Sequence, residues 1–189
     1  MNIKAVVFDF FGVFYLNSHD VLIEHFPHAQ NELEDLRYQS DYGMLDRPHY
    51  LQAIQDITGA DELLVKSILV GDHRLNQPLI DYARSELKPH YKLGLLSNVG
   101  RGWMDNFLSI ENRRELFDAV VLSGDEGVTK PHPQIYELIA ERLALEPEEC
   151  VMIDDLPENA TGADAAGMHA LVYGNLADLR VELKRMLHA

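Results

Sequence analysis

The sequence predicts an α/β protein, a doubly wound parallel sheet carrying a small inserted all-helical cap. Three observations point there. Five short apolar runs rich in Val, Ile and Leu stand at residues 5–8, 93–96, 119–122, 151–153 and 170–173. They are continuous rather than alternating, as strands covered on both faces are. Helical patterns at 103–107, 133–143 and 158–166 alternate with the later runs, which implies right-handed strand–helix–strand crossovers. Polar residues gather just after the runs, where ligands of open α/β sheets bind.

In chain order, the first run ends at Phe8 and is followed by Asp9-Phe10-Phe11-Gly12-Val13. Residues 16–80 then break the alternation. They hold amphipathic helical stretches at 33–38, 50–57 and 62–69, punctuated by Gly43, Pro48, Gly59 and Pro78. A crossover that long is uncommon without structure of its own, so it is read as a helical cap. The expected division is a core of 1–15 and 81–189 with a cap of 16–80. The second run ends in Ser97-Asn98, and Lys130-Pro131 opens the helix after the third. The fourth leads into Asp154-Asp155. The helix after it ends at Gly167, a residue suited to a helix C-terminus.

Composition bounds the function. At 189 residues, 47% hydrophobic and 25% charged, the chain is ordinary globular material. A chain of this size buries about 70% of its unfolded surface and needs no disulfide or metal to fold. Its single cysteine, Cys150, fits a reducing compartment and is read as inert core. Lys and Arg number 16 against 31 Asp and Glu, a net charge of −15. Such a surface repels nucleic acid and anionic membranes. No apolar stretch is long enough to span a bilayer, and the N-terminal run is too short for a signal peptide. The expectation is a cytoplasmic protein, a monomer or weak homodimer.

The residues after the strands suit phosphoryl transfer. A carboxylate attacks phosphorus and forms an acyl phosphate, but two anions approach only if a cation screens them. Asp9, Asp154 and Asp155 are candidate ligands for Mg²⁺, a hard ion that prefers oxygen. Lys130 and the Ser97 hydroxyl are candidates for the other phosphate oxygens and the transition-state charge.

In these residues the chain resembles the haloacid dehalogenase superfamily, in the branch with a helical cap after the first strand. Its motifs correspond to Asp9-Phe10-Phe11-Gly12-Val13, to Ser97 with Asn98, to Lys130 within Gly127-Val128-Thr129-Lys130-Pro131, and to Asp154-Asp155. The resemblance implies a Rossmann-like core and a Mg²⁺-dependent phosphatase of a small phosphorylated metabolite. Asp9 is then the catalytic nucleophile, and Ser97, Asn98 and Lys130 contact the phosphate. Asp9, the Phe11 carbonyl and the acidic pair hold the metal, with Asp155 favoured over Asp154 as the direct ligand.

One departure matters. The resemblance places a general acid/base where Phe11 stands, a loss typically worth about 10²–10⁴-fold. Steep dependence on the leaving group is therefore expected, with His19 on the cap side an alternative donor. Two other readings stand beside the phosphatase. One is a 2-haloacid dehalogenase, which needs no metal. The other is a degenerate non-catalytic protein that binds a ligand or partner.

The remaining features take plainer readings. The carboxylates of residues 24–35 read as a solvated helix face, Trp103 as packing or rim, and Asn159-Ala160-Thr161 as a chance sequon. His132 stands near enough to Lys130 to face the site. Cap loops at 15–19 and 41–47 are expected to choose the substrate, with lid motion about 14–17 and 79–84.

Overall fold

The computed structural model describes residues 2–16, 21–70 and 74–187. Five parallel strands, β1 (Ala5–Phe8), β2 (Lys92–Ser97), β3 (Ala119–Leu122), β4 (Cys150–Asp154) and β5 (His169–Val172), lie in the order β3-β2-β1-β4-β5. All five predicted runs are strands, displaced by a residue at most. The chain winds outward from β1 to β3, then returns to lay β4 on the other side of β1. The crevice at the carboxyl ends of β1 and β4 is thus the topological switch point. Their register pairs Phe8 with Ile153, so Asp9 and Asp154 leave the sheet side by side.

Alternate residues of the strands feed two apolar layers. Val6, Phe8, Leu93, Leu95, Val151 and Ile153 belong to one, and Val7, Leu96, Val121 and Met152 to the other. The second layer packs on Ile135, Tyr136 and Ile139 of α8 (Pro133–Arg142) and Ala163 of α9 (Pro157–Ala165). Each fully buried Leu or Ile contributes roughly 1.5–3 kcal/mol by leaving water.

Between β1 and β2 the chain inserts α1 (Val21–His25), α2 (Gln30–Asp41), α3 (Arg47–Thr58) and α4 (Glu62–Val70). Local chemistry sets the limits of α3. The Asp46 carboxylate accepts the His49 N–H at 3.0 Å, Pro48 sits in the first turn, and Gly59 ends the helix in the left-handed region. Leu22, Leu33, Leu36 and Ile54 of the insert join the same apolar cluster as Phe8 and Phe10. Cap and sheet therefore share one core.

The two crossings between cap and core are stitched together. Tyr15 and Leu75 form an antiparallel bridge, and the Leu16 N–H donates to the Arg74 carbonyl at 2.9 Å. The buried Asn76 side chain donates to the Val13 carbonyl at 2.9 Å and the Tyr173 hydroxyl at 2.8 Å. Asn17, one expected hinge residue, lies outside the described residues. The other crossing runs into α5 (Gln77–Tyr82) and a π-helical turn, Ala83–Leu87.

Two helical expectations need correction, and one terminal helix goes beyond them. Residues 103–107 form only a short 3₁₀ turn, Met104–Asn106, because Gly102 at φ 74° bends the chain just before it. The helix of that crossover is α6 (Ile110–Leu116), which begins where the Ser109 hydroxyl accepts the Asn112 N–H at 3.2 Å. A four-residue helix, α7 (Ser123–Glu126), follows β3 directly, so Lys130 lies in the α7–α8 loop. The unpredicted α10 (Leu176–Leu187) packs on the core through Leu179 and Leu183, one helical turn apart.

Candidate active site

Asp9 follows β1, Asp154 ends β4 and Asp155 follows it. Lys130 reaches between them from the α7–α8 loop, and all but Asp155 are fully buried. The Lys130 ammonium lies 2.8 Å from Asp9 Oδ1 and donates to Asp154 Oδ2 at 2.5 Å. The other Asp154 oxygen accepts the Leu156 N–H at 3.0 Å and the Asn159 amide at 2.9 Å. Asn98 holds the lysine's backbone. Its Oδ1 accepts the Lys130 N–H at 2.9 Å and its Nδ2 donates to the Lys130 carbonyl at 3.0 Å. The Lys130–Pro131 peptide is cis.

Charge is unbalanced here. Burial pushes the Asp9 carboxyl up to about 7, helped by Asp154 and opposed by Lys130. Burial also works against the Lys130 charge, yet Asp9 and Asp154 outweigh it and raise its pKa. Asp155 is raised by burial and then by Asp154. One oxygen from each of Asp9, Asp154 and Asp155 lies within 4.8 Å of the others. Asp155 Oδ1 is buried without a hydrogen-bond partner. A cation-binding donor set fits both facts: clustered carboxylates repel one another, and a buried orphan oxygen costs free energy until something binds it. The turn is built around Asp155. Gly12 adopts φ 81°, and a β-carbon there would meet Asp155 Oδ2 at 2.1 Å.

A cavity of about 650 Å³ opens over these groups, lined by Asp9, Asn98, Lys130 and Asp155. Ser97 is one residue short of its wall; the Ser97 hydroxyl is buried and has no hydrogen-bond partner. Asp154 likewise stands behind the wall, its oxygens committed to Lys130, Leu156 and Asn159. Phe11 is not in the lining either. Its ring packs edge-on against Phe10 at 5.1 Å, Phe107 at 5.2 Å and Tyr15 at 5.9 Å. His132 caps α8, accepting the Gln134 N–H at 3.3 Å, and is exposed outside the cavity. Trp103 packs, meeting the Tyr50 ring at 5.5 Å and the Arg47 guanidinium at 4.9 Å. Cys150 is buried, and burial pushes its thiol up to about 11. His19 lies outside the described residues.

The opposite wall comes from α2, which sequence reasoning passed over. Glu34, Asp35, Arg37, Tyr38 and Asp41, with Tyr42 just after the helix, all line the cavity. Glu34 and Asp35, the last acids of the solvated face expected over 24–35, thus also edge the cavity, Asp35 remaining exposed. A signal was present: polar residues at 34, 38, 41 and 35, 42 fall on one helical face, opposite Leu33 and Leu36. Thr129 of the core hydrogen-bonds the Tyr42 phenol and, with Tyr38, lowers its pKa.

An acidic crevice with a buried lysine thus stands at the switch point of a parallel α/β sheet, where ligands of such sheets bind. The chain belongs to the haloacid dehalogenase-like hydrolase family, whose model matches residues 3–167. It is 25% identical over 179 residues to the pyrophosphatase PpaX of Bacillus cereus, covering 88% of this chain and 81% of that one. A predicted HAD-like family hydrolase from Porphyromonas gingivalis is 25% identical with a TM-score of 0.81, and each chain is covered completely. A HAD family enzyme from Bacteroides thetaiotaomicron, solved with magnesium and inorganic phosphate, is 20% identical with a TM-score of 0.76. That match covers 94% of this chain and 98% of the other.

Proposed function

We propose that this hydrolase is a Mg²⁺-dependent phosphatase of a small phosphorylated metabolite, working through an aspartyl phosphate on Asp9. The observation that carries this is the Lys130 ammonium held within 2.8 Å of Asp9 beside a three-carboxylate cluster. Asp9 is the catalytic nucleophile. Lys130 neutralises phosphate oxygens and fixes the Asp9 carboxylate, and Asn98 keeps the Lys130 loop in place. Ser97, with its unpartnered buried hydroxyl, is positioned to donate to the phosphate after a small rearrangement. Asp9, the Phe11 carbonyl and Asp155 would hold Mg²⁺, with Asp154 in support. Bound there, the metal supplies charge neutralisation that lets two anions meet. Magnesium and phosphate in the Bacteroides relative, and the phosphorus–oxygen hydrolysis named for PpaX, support the same reading.

Residues 16–80 act as the cap that selects the substrate. The α2 wall sets its charge: Glu34 and Asp35 outnumber Arg37. Such a wall repels a second phosphate and suits a monophosphate whose remaining part is neutral or cationic. The metal-free dehalogenase reading leaves the carboxylate cluster unexplained. A screen of phosphomonoesters with Mg²⁺ and with chelator tests the proposal. Turnover with Mg²⁺ that vanishes with chelator supports it. Inactivity on every phosphate, or dehalogenation of a 2-haloacid without metal, overturns it.

A further inference from the structure

We propose that Asp41, at the end of α2, is the proton donor and acceptor of the reaction, delivered to the cavity by the cap. The inference rests on the phosphatase reading and adds to it a catalytic residue. An alkyl phosphate releases a poor leaving group unless a proton reaches its oxygen. Among the described core acids, Asp9 attacks, Asp155 faces the metal, Asp154 is committed to Lys130, and Glu158 lines the cavity from the exposed first turn of α9, while position 11 is Phe. Of the acids on the α2 wall, Asp35 is exposed and Glu34 stands two turns before the docked end.

Asp41 differs in how firmly it is placed. Its neighbours on both sides are pinned to the core. Ser40 is buried, and its Oγ would be 2.2 Å from a β-carbon on Gly100. Gly43 lies so close to Gly124 that a β-carbon would reach the Gly124 carbonyl at 2.1 Å. Its carboxyl lines the same cavity as Asp9 and Lys130. Burial pushes it up to about 7, while Arg37 and Lys130 pull the other way. The groups that face it are Arg37 on its own helix, Tyr42 just beyond, Tyr50 of α3 and Lys130 of the core. A carboxyl near 7 is poised to work in both directions.

The chemistry balances. Asp9 forms a bond to phosphorus as the bond from phosphorus to the leaving oxygen breaks. That oxygen keeps the electron pair and takes the Asp41 proton, releasing an alcohol. The Asp41 carboxylate then accepts a proton from water as the water oxygen attacks the aspartyl phosphate. Phosphate leaves, and Asp9 carboxylate and Asp41 carboxylic acid are restored.

The test compares Asp41→Asn with the wild-type holoenzyme on a series of alkyl and aryl phosphates. Thermal unfolding verifies that the variant folds, and Asp41→Glu and Tyr42→Phe serve as comparisons. The expected result is a kcat/KM loss of about 10²–10⁴-fold on alkyl phosphates and a much smaller one on p-nitrophenyl phosphate. Wild type should lose alkyl-phosphate kcat/KM as pH rises past 7, where the donor proton is lost, and this limb should vanish in Asp41→Asn. Asp41→Glu should recover part of the alkyl-phosphate rate. Equal loss on all substrates, an unchanged pH limb, or transfer of the leaving-group effect to Tyr42→Phe overturns the assignment while the phosphatase reading stands. A wild type inactive on every phosphate overturns both.

Discussion

A β-carbon placed on Gly43 would stand 2.1 Å from the carbonyl oxygen of Gly124. Backbone meets backbone at this point, so the end of α2 is seated on α7 of the core with no side chain between them. The contact ties the α2 wall of the cavity to the core that carries Asp9 and Lys130.

Gly43→Ala is expected to destabilise the protein by more than Gly59→Ala. Both glycines have φ 71°, so the left-handed strain of roughly 1–2 kcal/mol is shared. Only Gly43 adds a collision; Gly59 faces open space. Chemical denaturation of the two variants measures the difference, and equal losses would mean the cap is not seated as described.

Gly12→Ala should weaken Mg²⁺ binding. The added carbon would occupy the place of Asp155 Oδ2. Displacing the support of a ligand typically costs about 10–100-fold in metal affinity. Calorimetric titration of Mg²⁺ into both proteins gives the ratio.

Lys130→Met should remove activity and stability together. It strands the Asp9 and Asp154 carboxylates in the interior without their cation. Breaking a buried pair on one side costs about 3–5 kcal/mol. Added Mg²⁺ should return part of that loss by neutralising the same carboxylates, which unfolding curves with and without the ion will reveal.

Phe11→Asp tests where position 11 faces. The first motif taken alone favours a gain in turnover from this change. The ring is instead packed among Phe10, Tyr15 and Phe107, outside the cavity lining. A carboxylate there is expected to cost about 1–3 kcal/mol as a poorly partnered polar group, with no rise in alkyl-phosphate turnover. A clear rise, with Tm held, would show that the residue turns into the site.

Substrate charge provides a further check. Turnover should favour monophosphates over inorganic pyrophosphate in kcat/KM, since Glu34 and Asp35 line the cavity against Arg37. Preference for pyrophosphate would overturn the reading of the α2 wall.

The strands were legible because a sheet covered on both faces demands unbroken apolar runs, and the core motifs because they follow directly on those runs. Asp9, Ser97, Asn98, Asp154 and Asp155 could be placed from local pattern alone, and so could the helical nature of the insert. Long-range packing decided the rest. Asp154 and Asp155 are adjacent in the chain, yet one is spent on Lys130 and the other is left with an orphan oxygen. Phe11 lies two residues from Asp9 but turns its ring into an aromatic cluster completed by Phe107, far along the chain. The periodicity of α2 marked its polar face but not the surface that face would meet. Whether it bathes in solvent or walls a cavity depends on how the cap docks, and that is set by the Gly43–Gly124 approach and a shared apolar core. Local periodicity specifies which face of an element is polar, and only the tertiary structure supplies its opposite wall.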